Sequence, residues 1–224
     1  MLTDQIRLTQ PCEQKDFVEW RQGRRYFAVW ALDFDLSVLR QASDEIRESF
    51  SDYWLPGYER QLHLTVSLCG FPAAEPRRND DYAFAAFDAQ RRDLLRAQLA
   101  PFAVEIGVPD SFASAAYFSV RDCQGGIEKL RRILAEAVPE TEGVSFVPHL
   151  TFGLYRIALP LSAVLAGLQA QNPLRPLRLM VNKLAWMIYE AAVIGGPLRT
   201  LGAFDLAAGR FDGLAPGLLE DFFE

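Results

Sequence analysis

The chain contains two histidines, His63 and His149, and each opens the same tripeptide, His-Leu-Thr. An imidazole can give or take a proton near neutral pH. Thr65 and Thr151 each follow their histidine by two residues. In a strand that spacing puts both side chains on one face. A threonine hydroxyl there can donate to a non-bridging phosphate oxygen. Two imidazoles and two hydroxyls around one tetrahedral centre suit in-line displacement at a phosphodiester, above all a strained cyclic one. One histidine deprotonates the nucleophile and the other protonates the leaving oxygen. The motifs bring no cysteine or paired carboxylate that would complete a metal site. Nor is there a nucleophile elbow for a serine mechanism. The expected chemistry therefore uses no metal and no cofactor.

The surroundings of both motifs read as strands. In residues 62–68, His63, Thr65 and Ser67 alternate with Leu62, Leu64, Val66 and Leu68. In residues 147–154, His149, Thr151 and Gly153 alternate with Leu150, Phe152 and Leu154. The apolar face of each can pack on a core and the polar face is left for chemistry. One such strand would be unremarked, because short motifs are weak signals. Two in the same phase, using every histidine of the chain, point to a site.

The whole chain limits what that site can serve. Its 224 residues are half hydrophobic and include 16 phenylalanines, enough for one large domain or two small lobes. The net charge of −6 argues against long duplex nucleic acid, which needs a broad basic surface. It leaves room for a nucleotide or an RNA end held by a few local arginines. Cys12, Cys69 and Cys123 form an unpatterned, odd set and read as reduced thiols of a cytoplasmic protein. Charged residues near the start argue against a signal peptide, and no apolar run reaches the ~18 residues of a membrane span. A cytoplasmic monomer is expected.

Residues 1–25 read as a polar N-terminal extension, part of it docked by Phe17, Val18 and Trp20, with Arg21, Arg24 and Arg25 as a solvated basic cluster. A buried strand over Tyr26 to Leu32 leads to a helix capped by Ser37. The first motif strand is expected to end at Gly70, and residues 72–86 read as a loop, either a lid or variable surface. A helix over Asp88 to Leu99 follows, then strands at Phe102 to Val108 and Ala115 to Val120 around a turn at Pro109-Asp110-Ser111. A helix opens at Gly125-Gly126 and ends at Pro139, before the second motif strand. Leu161 to Ala170 reads as a helix. Leu179 to Tyr189 reads as one long strand, and Leu198 to Leu206 as the last. The tail from Phe211 could add a short helix. An internal repeat runs through this order. Tyr26-Phe27-Ala28-Val29, a helix and His63-Leu64-Thr65 mirror Tyr117-Phe118-Ser119-Val120, a helix and His149-Leu150-Thr151. The tetrapeptides are 91 positions apart and the histidines 86, a difference that a loop could absorb. Two such lobes facing each other about a pseudo-two-fold axis would bring both histidines to one cleft.

The paired motifs resemble the 2H phosphoesterase superfamily, in particular its 2′-5′ RNA ligase and RNA 2′,3′-cyclic phosphodiesterase branch. The likeness extends from His63 through Gly70-Phe71, over Pro148 to Gly153, and to the strand, turn and strand around Gly196-Pro197-Leu198. It covers about Tyr26 to Leu206. It implies an α+β, bilobal fold of two antiparallel sheets around a central cleft with helices outside. The division would be an extension (1–25), the bilobal domain (26–206) and a tail (207–224). The implied activity is opening of 2′,3′-cyclic phosphates, or cleavage and joining of 2′-5′ bonds, in RNA ends or small nucleotides. Alternatives are 2′-5′ oligonucleotides or signalling cyclic nucleotides as substrates, and a non-catalytic nucleotide-binding module. The resemblance makes His63 and His149 catalytic, with His149 expected to activate water, and makes Thr65 and Thr151 phosphate-binding. Tyr26, Phe71, Tyr117 and Tyr155 are candidate base-stacking residues. Relatives often carry an arginine shortly after the second threonine, where this chain has Leu154, and Arg156 is the nearest substitute.

Overall fold

The computed structural model describes residues 7–139, 145–213 and 223. Two curled sheets carry the chain. The first has six strands: β1 (Tyr26–Asp33), β2 (His63–Pro72), β3 (Asp81–Tyr82), β8 (Lys183–Glu190), β9 (Arg199–Asp205) and β10 (Arg210–Gly213), ordered β10-β9-β8-β1-β2-β3. The second has four: β4 (Phe102–Ser111), β5 (Ala115–Asp122), β6 (His149–Leu154) and β7 (Leu177–Val181), ordered β6-β5-β4-β7. Pairing is antiparallel except for the parallel pair β2–β3. Among the described residues five α-helices complete the fold: α1 (Gln14–Arg21), α2 (Ser37–Ser49), α3 (Phe84–Ala97), α4 (Gly126–Ala135) and α5 (Leu161–Ala170).

Helix α2 presents Leu39, Ala42 and Ile46 to the core, and α4 presents Ile127, Leu130 and Leu134. Both follow the 3.6-residue period. One large core collects these residues with Trp30, Leu64, Val66, Phe118, Leu150 and Trp186. The opposite, inner face of the first sheet holds a second cluster of Phe27, Val29, Ala31, Phe71, Met187 and Leu198. Trp20 of α1 lies over its far end, with ring centroids 4.9 Å from Phe27 and 4.8 Å from Phe71. The extension is thus tied down. Before α1, Thr9 and Cys12 donate backbone hydrogen bonds to Leu159 and Tyr155.

The pseudo-two-fold correspondence is visible in the strand orders: β9-β8-β1-β2 matches β7-β4-β5-β6. Register places Asp33 opposite His63 and Ser119 opposite His149. The equivalent pairs are therefore 86 positions apart on both strands of each lobe. The tetrapeptide match at 91 is a coincidence of two aromatic strands and not the repeat itself.

Several elements depart from the expectations. Leu179 to Tyr189 is not one strand. The chain leaves β7 at Val181 and enters β8 at Lys183, so Asn182 is where it changes sheets. Ser37 is the first residue of α2, whose N-cap is Leu36, with no side-chain cap. Helix α3 begins at Phe84, four residues before the expected start. Pro109-Asp110-Ser111 lies inside β4, and the turn falls at residues 112–114. Residues 210–213 form a strand where a helix was expected, and the rest of the tail before Phe223 lies outside the described residues. Strand β2 runs past Gly70 to Pro72. Gly70 adopts φ +122°, and a Cβ there would lie 2.5 Å from the Asp80 carbonyl oxygen. The glycine lets β3 close in. The preceding loop is pinned, since Arg24 bonds both Asp80 and Asp81 and stands 3.6 Å over Phe71. Arg24 is accordingly not a solvated cation.

Candidate active site

The two motif strands bring their histidines up from different sheets, and β2 and β6 lie against each other. Each strand is bulged at the same place, directly after its threonine. Ala31 pairs with Thr65 and Trp30 with Ser67, while Tyr117 pairs with Thr151 and Ala116 with Gly153. The extra residues are Val66 and Phe152, both buried. A bulge shifts the alternation of side chains by one. Ser67 therefore shares the core side with Trp30, and Leu68, 64 % exposed, takes the inner face. Gly153 likewise turns coreward, where a Cβ would sit 2.8 Å from Trp54. The polar groups of each motif face are thus His and Thr alone, and past the first bulge that face continues with Leu68 and not Ser67. Arg131 of α4 donates to the Val66 carbonyl at the first bulge, 2.9 Å, fastening the second lobe to β2.

Both imidazoles are held alike. Nδ1 of His63 is 2.8 Å from the Gln61 carbonyl oxygen, and Nδ1 of His149 is 2.7 Å from that of Val147. A carbonyl only accepts, so each Nδ1 carries the hydrogen. In the neutral ring Nε2 then bears the lone pair, and no protein partner takes it among the described residues. Neither threonine hydroxyl is committed to a protein partner among them. Burial pushes the His63 pKa down to about 4, opposed by the Gln61 hydrogen bond and assisted by the charges of Arg60 and His149. Burial also lowers the pKa of His149, against the Val147 bond.

The wider set of candidates divides. Tyr117 stands on the same face as Thr151, with its ring 5.3 Å from that of His149, and burial together with Asp110 raises its pKa to about 12. Phe71 is fully buried beneath Trp20 and Arg24, and Tyr155 is fully buried against Trp54 with its hydroxyl on Ser111. Both are core residues and neither can stack on a base. Tyr26 lines a surface pocket of about 250 Å³ with Tyr189, Pro197 and Arg199, which no motif residue shares. Arg156 is tied at the surface to the carbonyl and carboxylate of Asp52.

Two neighbours of the histidines escaped the sequence. Phe112, at the β4–β5 turn, packs edge-on to His149 at 4.9 Å and lies tilted against Tyr117 at 4.3 Å. Its only sequence signal was its place directly after Pro109-Asp110-Ser111. Gln61 holds His63 through its carbonyl while its side chain clamps Leu198, donating to the Leu198 oxygen at 2.7 Å and accepting from its N–H at 2.9 Å. The β8–β9 loop is thereby locked beside the first motif. Tyr58 reaches from the same segment to the Thr151 carbonyl, 3.4 Å.

Two curled, largely antiparallel sheets with helices make a fold of the 2H phosphoesterase type. The profile of the 2′-5′ RNA ligase superfamily matches residues 35–192, and the chain belongs to that superfamily. No curated protein matches. Among solved structures, TT0787 of Thermus thermophilus is similar at 19 % identity and a TM-score of 0.53, covering 80 % of this chain and 97 % of that one. Apo LigT of E. coli is similar at 15 % identity and a TM-score of 0.51, covering 82 % and 98 %. At these identities the likeness is one of fold. No helix among the described residues is long and apolar enough to cross a membrane.

Proposed function

We propose that the protein is a phosphodiesterase that opens 2′,3′-cyclic phosphates, or cleaves and joins 2′-5′ phosphodiester bonds, at RNA ends or in small nucleotides. The observation that carries this reading is the matched presentation of the two imidazoles. Each has its Nδ1 proton fixed by a carbonyl and its Nε2 left free, with a threonine hydroxyl on the same strand face. The hydroxyls hold the non-bridging oxygens. In hydrolysis a water oxygen bonds to phosphorus as its proton passes to one Nε2. The bond from phosphorus to the ribose oxygen breaks as the other Nε2 delivers a proton to it. With a terminal ribose hydroxyl in place of water, the same exchange joins two ends: its oxygen bonds to the phosphorus of a cyclic phosphate as its proton passes to one Nε2, and the ring P–O bond breaks as the other Nε2 delivers a proton.

The deeper burial of His63 favours the neutral, proton-accepting state, and the more open His149 is the easier of the two to protonate. We therefore assign His63 as the base and His149 as the acid in hydrolysis, the reverse of the expectation from sequence. Phe112 and Tyr117 give the His149 side an aromatic wall suited to a base or ribose. The purified protein should be assayed on 2′,3′-cyclic mononucleotides, 2′-5′ dinucleotides and RNA ending in a cyclic phosphate, with products identified. His63→Ala and His149→Ala should each lower turnover ~10²–10⁴-fold, the usual worth of a general acid or base. Near-wild-type turnover in either variant would reject the mechanism.

A further inference from the structure

Arg60 lies three residues before His63 and had no place in the motif. Its Nε donates to the Gly196 carbonyl at 3.0 Å, and its guanidinium carbon stands 4.1 Å over the Tyr189 ring. Tyr189 is on β8, opposite Phe27 of β1, and so belongs to the same inner face as Thr65. Among the described residues no carboxylate forms an ion pair with Arg60. Arg156, by contrast, is committed to Asp52 and Arg24 to Asp80 and Asp81. In a chain of net charge −6, a half-buried guanidinium without a carboxylate is a cation held in reserve for an external anion.

The backbone around it is locked on both sides. Glu59 donates to the Gly195 carbonyl, and Gln61 clamps Leu198 by two bonds. One edge of the guanidinium is thus used for anchoring and one face for the ring, while its charge meets no carboxylate among the described residues. The Nη groups of a planar guanidinium can match two phosphate oxygens. Two residues separate it from His63, which senses its charge.

We propose that Arg60 is a substrate-binding residue, the cation that takes the phosphate on the His63 side of the cleft. The inference rests on the phosphodiester reading of this site and adds a fifth group to its two histidines and two threonines. The site then becomes asymmetric, with a cationic wall at His63 and an aromatic wall at His149. A nucleotide is oriented phosphate toward Arg60 and base toward Phe112.

Inorganic phosphate is the probe, and the two histidine ring resonances are the readout, since the chain has no others. Phosphate titrated into the full chain should perturb the His63 resonance. Arg60→Gln should weaken that binding about tenfold or more, the scale of a lost charge-assisted pair. It should also raise the His63 pKa in the free protein, because a repelling cation is gone. Arg60→Lys keeps the charge without the fork or the ring contact and should fall between the two. Thermal melting of both variants controls for folding. Unchanged phosphate affinity in Arg60→Gln, or no phosphate binding by the wild type, overturns the proposal. If phosphate binds through Arg60 but none of the cyclic or 2′-5′ substrates turns over, the phosphodiesterase reading falls and the anion site stands. If substrates turn over and Arg60→Gln binds phosphate normally, the reverse holds.

Discussion

Acid should expose how deeply His63 is set. Its folded pKa of about 4 lies below the ordinary 6.5 because burial disfavours the charged ring. The unfolded chain therefore binds a proton at this position in a range where the folded one does not. Between pH 6.5 and 4 the unfolded state gains protons on acidification, so stability falls as pH falls through that window. A gap of this size is worth about 3 kcal/mol once pH is below both values, and about 2.5 kcal/mol by pH 4.5. Carboxylates titrate in the same range, so the comparison is with His63→Asn, which carries them unchanged. Urea unfolding of the two proteins at pH 7.5 and 4.5 should show the wild type losing about 2.5 kcal/mol more than the variant over that step. Ring NMR, with His149→Asn to assign the remaining signal, gives the pKa directly. A His63 that titrates near 6 or above, or two proteins that lose stability in parallel, would refute the burial argument and with it the assignment of His63 as the resting base.

Three further outcomes follow from the geometry. The dependence of kcat/KM on pH should be bell-shaped, with its limbs belonging to the histidine pair and an optimum on the acid side of neutrality, since burial lowers both rings; a flat profile through that range would contradict it. Gly153→Val should lower Tm and stability by about 1–3 kcal/mol, the cost of overpacking, because its Cβ would meet Trp54 at 2.8 Å; an unchanged melt would mean that the bulge can shift freely. Gln61→Leu removes both bonds to Leu198 and should lower kcat about tenfold with KM little changed, because it loosens the carbonyl that aims His63 without touching substrate; a change in KM alone would make Gln61 a binding residue instead.

The motif residues and most elements were legible because they follow simple periods. Alternation marked β2 and β6, an aromatic and branched apolar run marked β1, helical spacing marked α2 and α4, and flanking prolines marked α5. What alternation could not show was where it breaks. The bulges at Val66 and Phe152 each add one residue inside an unbroken strand pattern, with no glycine or proline beside the first, and so Ser67 and Gly153 were placed on the wrong face. The sheet change at Asn182 was hidden because apolar residues continue on both sides of it. Phe71 and Tyr155 look like any other aromatic beside a motif, and only the docking of Trp20 and Trp54 shows them to be covered. Arg60 and Gln61 were passed over because their meaning lies in partners more than a hundred positions away, Gly196 and Leu198.

The strand order has a consequence for how the chain comes off the ribosome. The second lobe is one continuous stretch, Phe102 to Val181. The first is split. Its strand β1 must wait for β8, pairing Tyr26 with Glu190, and the nascent chain has to extrude the entire second lobe before that partner exists. Until then β1 has an unpaired edge, a known route to misassociation during synthesis. Contacts of such long separation also slow folding. The sheet that bears His149 can close first, and the sheet that bears His63 is completed only when residues 183–190 arrive.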